Sequence, residues 1–265
     1  AQIAPRVAET YAACRRMALL RLPAAGLQQL SLARVNAQGA YVQTTASYCE
    51  LMWAGAAPQN VHVEPAAMQA LMRGLDARNN RMPPFAPPYL DTGETVIAQV
   101  ANILLYLGER HHLAPGALAD RLWLNQLQLT IADLVAEAHD VHHPIANSLY
   151  YEDQKTEALR RSGHFRNERL TKFTNYFETV ITRSGGQYLL GKSLSYVDLS
   201  MFQVMASLNY AFPKAMAGLR DKLPRLNALH DKVAARPRIA RYIASPARLP
   251  FSTHDLMRLY PELDG

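Results

Sequence analysis

Ala86-Pro87-Pro88-Tyr89-Leu90-Asp91-Thr92-Gly93-Glu94-Thr95-Val96-Ile97 combines a paired proline with a tight turn between two extended runs. Pro87 and Pro88 lack a backbone donor, and each pushes its predecessor toward extended geometry, so this segment is not helical. Asp91 to Glu94 is a tight-turn signal, and Thr95-Val96-Ile97 reads as the returning strand of a hairpin. Upstream, Gly26 to Val35 is compatible with a strand, Tyr41 to Trp53 with a helix stopped by Gly55 and Pro58, and Val61 to Val63 with a second strand. Met68 to Leu75 and Val100 to Leu107 carry helical spacing. The first hundred residues therefore read β-α-β-α-β-β-α.

From Pro115 onward strand signals cease and helical periods dominate. Over residues 119–143 an apolar stripe (Leu124, Leu127, Ile131, Leu134, Ala138, Val141) interlocks with a polar one (Gln126, Thr130, Asp133, Glu137, Asp140), both advancing by threes and fours. One face packs and the other meets water, a ligand or a partner, until Pro144 ends the helix. A second long helix is expected over Lys155 to Thr182, broken by Ser184-Gly185-Gly186. Ser195 followed three residues later by Asp198 is a capping-box pattern, with Leu194 and Leu199 placed to form a hydrophobic staple. Leu226 to Ala234 is a further helix, and Pro237 sits at a first-turn position leading into Ile239 to Ala244.

The 265 residues are about half apolar, enough for a sizeable core, and charge interrupts every apolar run well before the roughly 18–20 residues a membrane span needs. A soluble body with no membrane partner is expected. The net charge of +6 is scattered rather than concentrated in a basic run, which argues against nucleic acid and fits a surface that receives small anions. Cys14 and Cys49 form neither a CxxC motif nor a disulfide framework, so a reducing, cytoplasmic setting is expected. Residues 1–24 carry four arginines and read as an accessory helix or extension, with an organelle-targeting leader as the alternative.

An α/β unit with a proline-rich turn before a hairpin, followed by an all-helical part, resembles the cytosolic glutathione transferase superfamily. The local matches are Ala86 to Leu90 with Gln99 and Ile103 to Leu107 behind it, the Ser195–Asp198 box, and Ala235-Arg236-Pro237-Arg238-Ile239 through Ser245. The resemblance covers about residues 25–250. It implies the fold class α/β plus all-α: an extension over 1–24, a thioredoxin-like glutathione-binding domain over 25–108, and an all-helical domain over 112–265. Thr130 to Ile145 with Tyr150 to Gln154 looks like a bacterial and fungal sigma-like branch.

What the resemblance implies for the site is carried residue by residue. Pro88 matches the family's cis-proline, and Pro87 the residue before it that bonds glutathione through its main chain, although Pro87 can only accept. Gln99 and Val100 match the pair that cradles the γ-glutamyl carboxylate at a helix N-terminus, but Val100 lacks the usual hydroxyl. Asp133 matches an acid that reaches across a homodimer to the glutathione amino group. The first-strand tyrosine that activates the thiol has no counterpart, leaving Ser31, Asn36 and Tyr41 as catalytic candidates.

His139 and His143 are spaced i, i+4 beside Asp140, which invites a metal reading. The reading preferred here is that they, with His142, crowd a helix end where imidazolium suits the dipole, so no metal is expected. They can also line an electrophile pocket with Tyr150 and Tyr151. Trp123, Phe202, Tyr210 and Phe212 read as core aromatics. The sequence thus points to a dimeric glutathione transferase with glutathione as co-substrate and an electrophilic small molecule as partner. A transferase-shaped binding or scaffolding protein is the alternative, and a disulfide reductase is disfavoured by the lack of a first-strand cysteine.

Overall fold

A computed structural model describes residues 31–33, 78, 81–85, 89–91, 96–244, 248, 251 and 256–265. Three short strands, β1 (Ser31–Ala33), β2 (Tyr89–Asp91) and β3 (Val96–Ala98), form a sheet in that order with antiparallel pairing throughout. Leu90 sits opposite both Leu32 and Ile97, and β2 and β3 form the hairpin that the turn signal at 91–94 predicts.

Helix α1 (Val100–Arg110) follows at once and buries Ile103, Leu104 and Leu107. Gly108 is also buried, because the ring of Tyr196 lies where a side chain would project: an added Cβ would come within 2.6 Å of Tyr196 Cδ1. The backbone amide of Tyr196 donates to the Leu113 carbonyl at 3.0 Å. Gly108 is therefore where α1 rests on the helical bundle.

Helix α2 (Leu118–His139) obeys its two stripes. Leu124, Leu127, Ile131, Leu134 and Ala138 are buried, Gln126, Asp133 and Asp140 are exposed, and Thr130 and Glu137 lie between. It ends at His139 rather than 143, because His143 precedes proline and is held out of helical geometry; Val141, His142 and His143 instead turn inward and are buried.

The expected unbroken helix over 155–182 is three pieces: α3 (Lys155–His164), a π-helical segment (Phe165–Leu170) and α4 (Thr171–Arg183). The spacing of inward residues explains this. Ala158, Ser162 and Phe165 advance by four and three, the next inward residue is Leu170, five on, and Phe173 and Phe177 resume the helical step. A π turn absorbs the surplus residue while keeping both halves on the core.

Helix α5 (Tyr196–Ala211) is the centre of the bundle. Apart from residues 206, 209 and 210 it is buried along its whole length, and it packs against α1, α2, α6 (Pro213–Leu219) and α7 (Pro224–Ala234). Helix α8 (Pro237–Ile243) and a short 3-10 helix (Pro261–Leu263) complete the described elements, with proline opening each of α6, α7 and α8 as the first-turn preference predicts.

The Ser195–Asp198 box forms. Asp198 Oδ2 accepts from the Ser195 amide at 2.7 Å and its hydroxyl at 2.6 Å, and Oδ1 accepts from the Leu189 amide at 2.8 Å. The carboxyl is fully buried, and burial pushes its pKa up to about 6 against these bonds, leaving it mostly ionised at pH 7. Asp198→Ala strands two buried amides and should cost roughly 2–4 kcal/mol in chemical denaturation at pH 7. The raised folded pKa also fixes a sign. The neutral form's advantage is full below about pH 4 and lost as pH rises through 6, so the deficit of Asp198→Asn should be larger at pH 4 than at pH 7.

Candidate functional site

Two places in the structure gather the chemistry-bearing residues. The first is the N-terminus of α1. Gln99 is the residue before the helix, exposed, with φ 67° and ψ 125° and no side-chain capping bond. A non-glycine residue with this backbone is strained, and such strain concentrates where a ligand is held. Its carbonyl accepts the Ile103 amide at 2.9 Å, which ties the strained residue to the first helical turn. Val100 is half-buried and packs on the core, and its side chain carries no hydrogen-bonding group.

Ser31 lies in β1, and its side chain falls outside the described residues, as do Asn36, Tyr41, Pro87 and Pro88. Asp133 stands exposed on α2, and its charge is felt by Arg169 of the π segment. Arg169 is held by Glu137, one turn along, through Nε to Oε2 at 2.8 Å and Nη2 to Oε1 at 2.5 Å, with its guanidinium 4.9 Å from the Phe173 ring centre. The polar stripe is therefore partly consumed within the chain at Glu137 and left open at Asp133.

The second place is the C-terminal end of α2. His139 and His143 stack at 5.0 Å with 10° between ring planes, and His142 meets both edge-on at 5.0 and 4.7 Å. His142 Nδ1 lies 2.5 Å from His143 Nδ1, and His142 Nε2 lies 2.9 Å from the Leu256 carbonyl. The expected helix-end imidazolium is overturned for this cluster. Burial, followed by the positive charges of His139 and Arg258, brings His142 down to about 2, and burial then Arg258 brings His143 down to about 4, while His139 is also lowered, chiefly by burial. All three rings are neutral at pH 7. Being buried outweighs the helix dipole here because a dipole contributes at most about 2 kcal/mol, less than desolvating an imidazolium costs.

Tyr151 is buried and stacks on Tyr260 at 3.8 Å, and its hydroxyl donates to Glu262 Oε1 at 2.9 Å. Burial, then Glu262, raises its pKa well above the ordinary phenol. Tyr150 is half-exposed at the start of the short helical turn Tyr151–Gln154 and stays at the surface, whereas Tyr151 is linked to the histidine cluster through Tyr260, whose ring centre lies 6.1 Å from that of His142. Phe202 and Phe212 are core, while Trp123 lines a separate groove of about 540 Å³ with Asp120, Tyr176 and Arg183.

Sequence reading missed Leu256, Tyr260 and Glu262 as parts of this region and gave Gln154 no structural role. Gln154 is wholly buried; its oxygen accepts the Ile145 and Ala146 amides at 2.9 and 3.4 Å, and its amide donates to the Ala146, Leu149 and Tyr150 carbonyls. One side chain thus organises the whole 145–150 loop, and only a polar residue at an inward position of a helical start hinted at it. The tail residues carry no local signal, since their partners lie about a hundred positions away.

Comparison with known proteins follows this geometry. Residues 139–246 match the family described as glutathione S-transferase, C-terminal domain. The chain is 24% identical over 159 residues to a glutathione S-transferase of Plasmodium yoelii yoelii, covering 60% of this chain and 67% of that protein. It is 24% identical over 180 residues to glutathione S-transferase P 1 of Xenopus laevis, covering 66% and 76%. Among solved structures, prostaglandin synthase D of Nilaparvata lugens superposes with a TM-score of 0.57 at 18% identity, covering 76% of this chain and 92% of that one. The fold is that of a glutathione transferase, and the family match, which covers residues 139–246, supports that likeness over the helical part. None of these three relatives is bacterial or fungal, so the narrower sigma-like bacterial and fungal placement gains no support from them. Among the described residues no helix is long and apolar enough to cross a membrane.

Gln154→Ala removes five bonds at a buried site and should lower stability by about 2–3 kcal/mol, as calorimetric melting reads it. Amide hydrogen exchange should show protection lost at residues 145–150 first.

Proposed function

We propose that this protein is a glutathione transferase of the cytosolic type, which holds glutathione in the 25–108 domain and an electrophilic small molecule against the helices of 112–265. The observation that carries the reading is Gln99, held at φ 67° directly before an eleven-residue helix whose N-terminal amides face no capping side chain. Such a terminus favours an anion, here the γ-glutamyl carboxylate. Pro87 and Pro88 on this reading set the turn that presents the main chain to the cysteinyl part. Asp133, left open on its stripe, meets the glutathione ammonium of a second copy, which makes the working unit a homodimer. His139, His143, Tyr150 and Tyr151 line the electrophile side.

Chemistry requires the glutathione thiol to ionise. A free thiol titrates near 8.5, so each unit of depression represents about 1.4 kcal/mol of preferential stabilisation of the thiolate. Ser31, Asn36 and Tyr41 are the candidate donors, together with the positive end of the Tyr41 helix. Activity is low on this account, and the protein acts in the reducing cytoplasm. A second reading, a transferase-shaped binding protein with little catalysis, is favoured by one observation: Val100 is spent on packing.

Titration calorimetry with glutathione separates these readings from a closed site. Val100→Ser restores a donor at the anion and should tighten binding by about tenfold, whereas Asp133→Asn should weaken it. If neither change moves the affinity, the γ-glutamyl pocket is not at α1. Sedimentation should give twice the monomer mass, and a strict monomer at micromolar concentration rules out the cross-subunit role of Asp133.

Thiolate absorbance of bound glutathione, followed against pH, then divides enzyme from binding protein. The expected result is a midpoint below that of free glutathione, moved upward by at least one of Ser31→Ala, Asn36→Ala and Tyr41→Phe. A thiol that titrates like the free peptide at saturation favours the binding protein.

A further inference from the structure

We propose that His139, His142 and His143 form a zinc(II) site, one whose occupancy does not require glutathione to bind at α1. Each ring offers one nitrogen, and the three nitrogens lie within 4.8 Å of one another in a pocket where His142 and His143 are buried. The carbonyl of Leu256 can only accept, so His142 Nε2 carries the proton and His142 Nδ1 presents a lone pair to the other rings. Metal-binding histidines are oriented in this way, with the second ring nitrogen donating to a carbonyl or carboxylate. His139 has a corresponding partner in the Asp140 carboxylate, 3.6 Å from its Nδ1, which also places a negative charge beside the ion.

The 2.5 Å separation between His142 Nδ1 and His143 Nδ1 admits two explanations. A proton on His143 Nδ1 accounts for that pair but leaves the third ring, stacked parallel at 5.0 Å, without a role. An ion accounts for all three. With zinc–nitrogen bonds of 2.0–2.1 Å in tetrahedral geometry the nitrogens stand about 3.3 Å apart, so the pair at 2.5 Å opens and the widest pair, within 4.8 Å, closes toward that separation as the ion enters. Imidazole ligands suit zinc, and three of them leave a fourth position for water on the partly exposed His139 side. Arg258 lies close enough to act on all three rings, and its positive charge keeps the site from being a very tight one. The ion would fasten the end of α2 to the segment at Leu256, adding to the hydrogen bond of His142 and its ring contact with Tyr260.

The test uses the untagged full chain, stripped with chelator and titrated with zinc(II) by calorimetry and with cobalt(II) by absorbance. One equivalent should bind, with tetrahedral ligand-field bands and no thiolate charge-transfer band, and the Cys14→Ser/Cys49→Ser variant should behave identically. His139→Gln and His143→Gln should each weaken binding by at least about tenfold. Proton NMR of the cobalt form of the parent should show hyperfine-shifted signals from three imidazoles, a readout that needs no variant to fold. The proposal is overturned by the lack of saturable one-equivalent binding in the parent, by a cobalt spectrum without three imidazoles, or by unchanged affinity in a folded His139→Gln/His143→Gln protein. None of these outcomes depends on whether glutathione binds.

Discussion

The carboxyl of Asp198 is the constraint on which the bundle depends. It begins the most buried helix among the described residues and, in the same act, receives the amide of Leu189 from the loop that follows α4. A buried charge of this kind is tolerated only because every lone pair in play has a donor. Its effect is to fix where α5 starts, and α5 fixes α1 through the Tyr196 ring seated on Gly108. The α/β unit is thereby located by a contact in which a single methyl group would intrude.

Two other helices are started by carboxylates from elsewhere in the chain. Glu178 of α4 accepts the Arg225 and Leu226 amides at the head of α7, both at 2.9 Å, and Asp264 accepts the Lys214 and Ala215 amides at the head of α6 at 2.6 and 3.1 Å. Each lies dozens of residues from the helix it caps, so the three caps differ in how far they can be read. The Ser195–Asp198 box is contained within four letters and was legible; the other two require the fold to be known first. The same division runs through the site. The stripes of α2, the β2–β3 hairpin and the proline-opened helices follow from local spacing. The neutrality of the histidine cluster follows from burial under Leu256 to Tyr260, which local spacing does not contain.

Around α1 the two kinds of information meet. Gln99 was legible as a motif residue, yet its left-handed backbone is a tertiary fact, imposed by a strand ending at Ala98 and a helix starting at Val100 with no residue to spare between them. Strain of this sort persists only where surrounding packing over-determines it, and the buried Ile97, Ala101, Ile103 and Leu104 provide that packing. Val100 belongs to the same packing. Its side chain contributes to holding the helix in place.

The π segment gives the chain length itself a role. Ser162, one turn before it, donates to the Leu263 carbonyl and accepts from Arg166 Nε at 3.2 Å, so the tail is moored to α3. Removing one residue from 165–170 would restore ordinary spacing: Phe165 and Leu170 would stand four apart, α3 and α4 would fuse into one regular helix, and Ala158 and Ser162 would keep their place on the core. The mooring of the tail at Ser162 would survive that shortening. Inserting a further residue has no such outlet, because it rotates α3 by about a hundred degrees relative to α4 and turns Ser162 away from Leu263. The segment is therefore built to lose a residue more readily than to gain one.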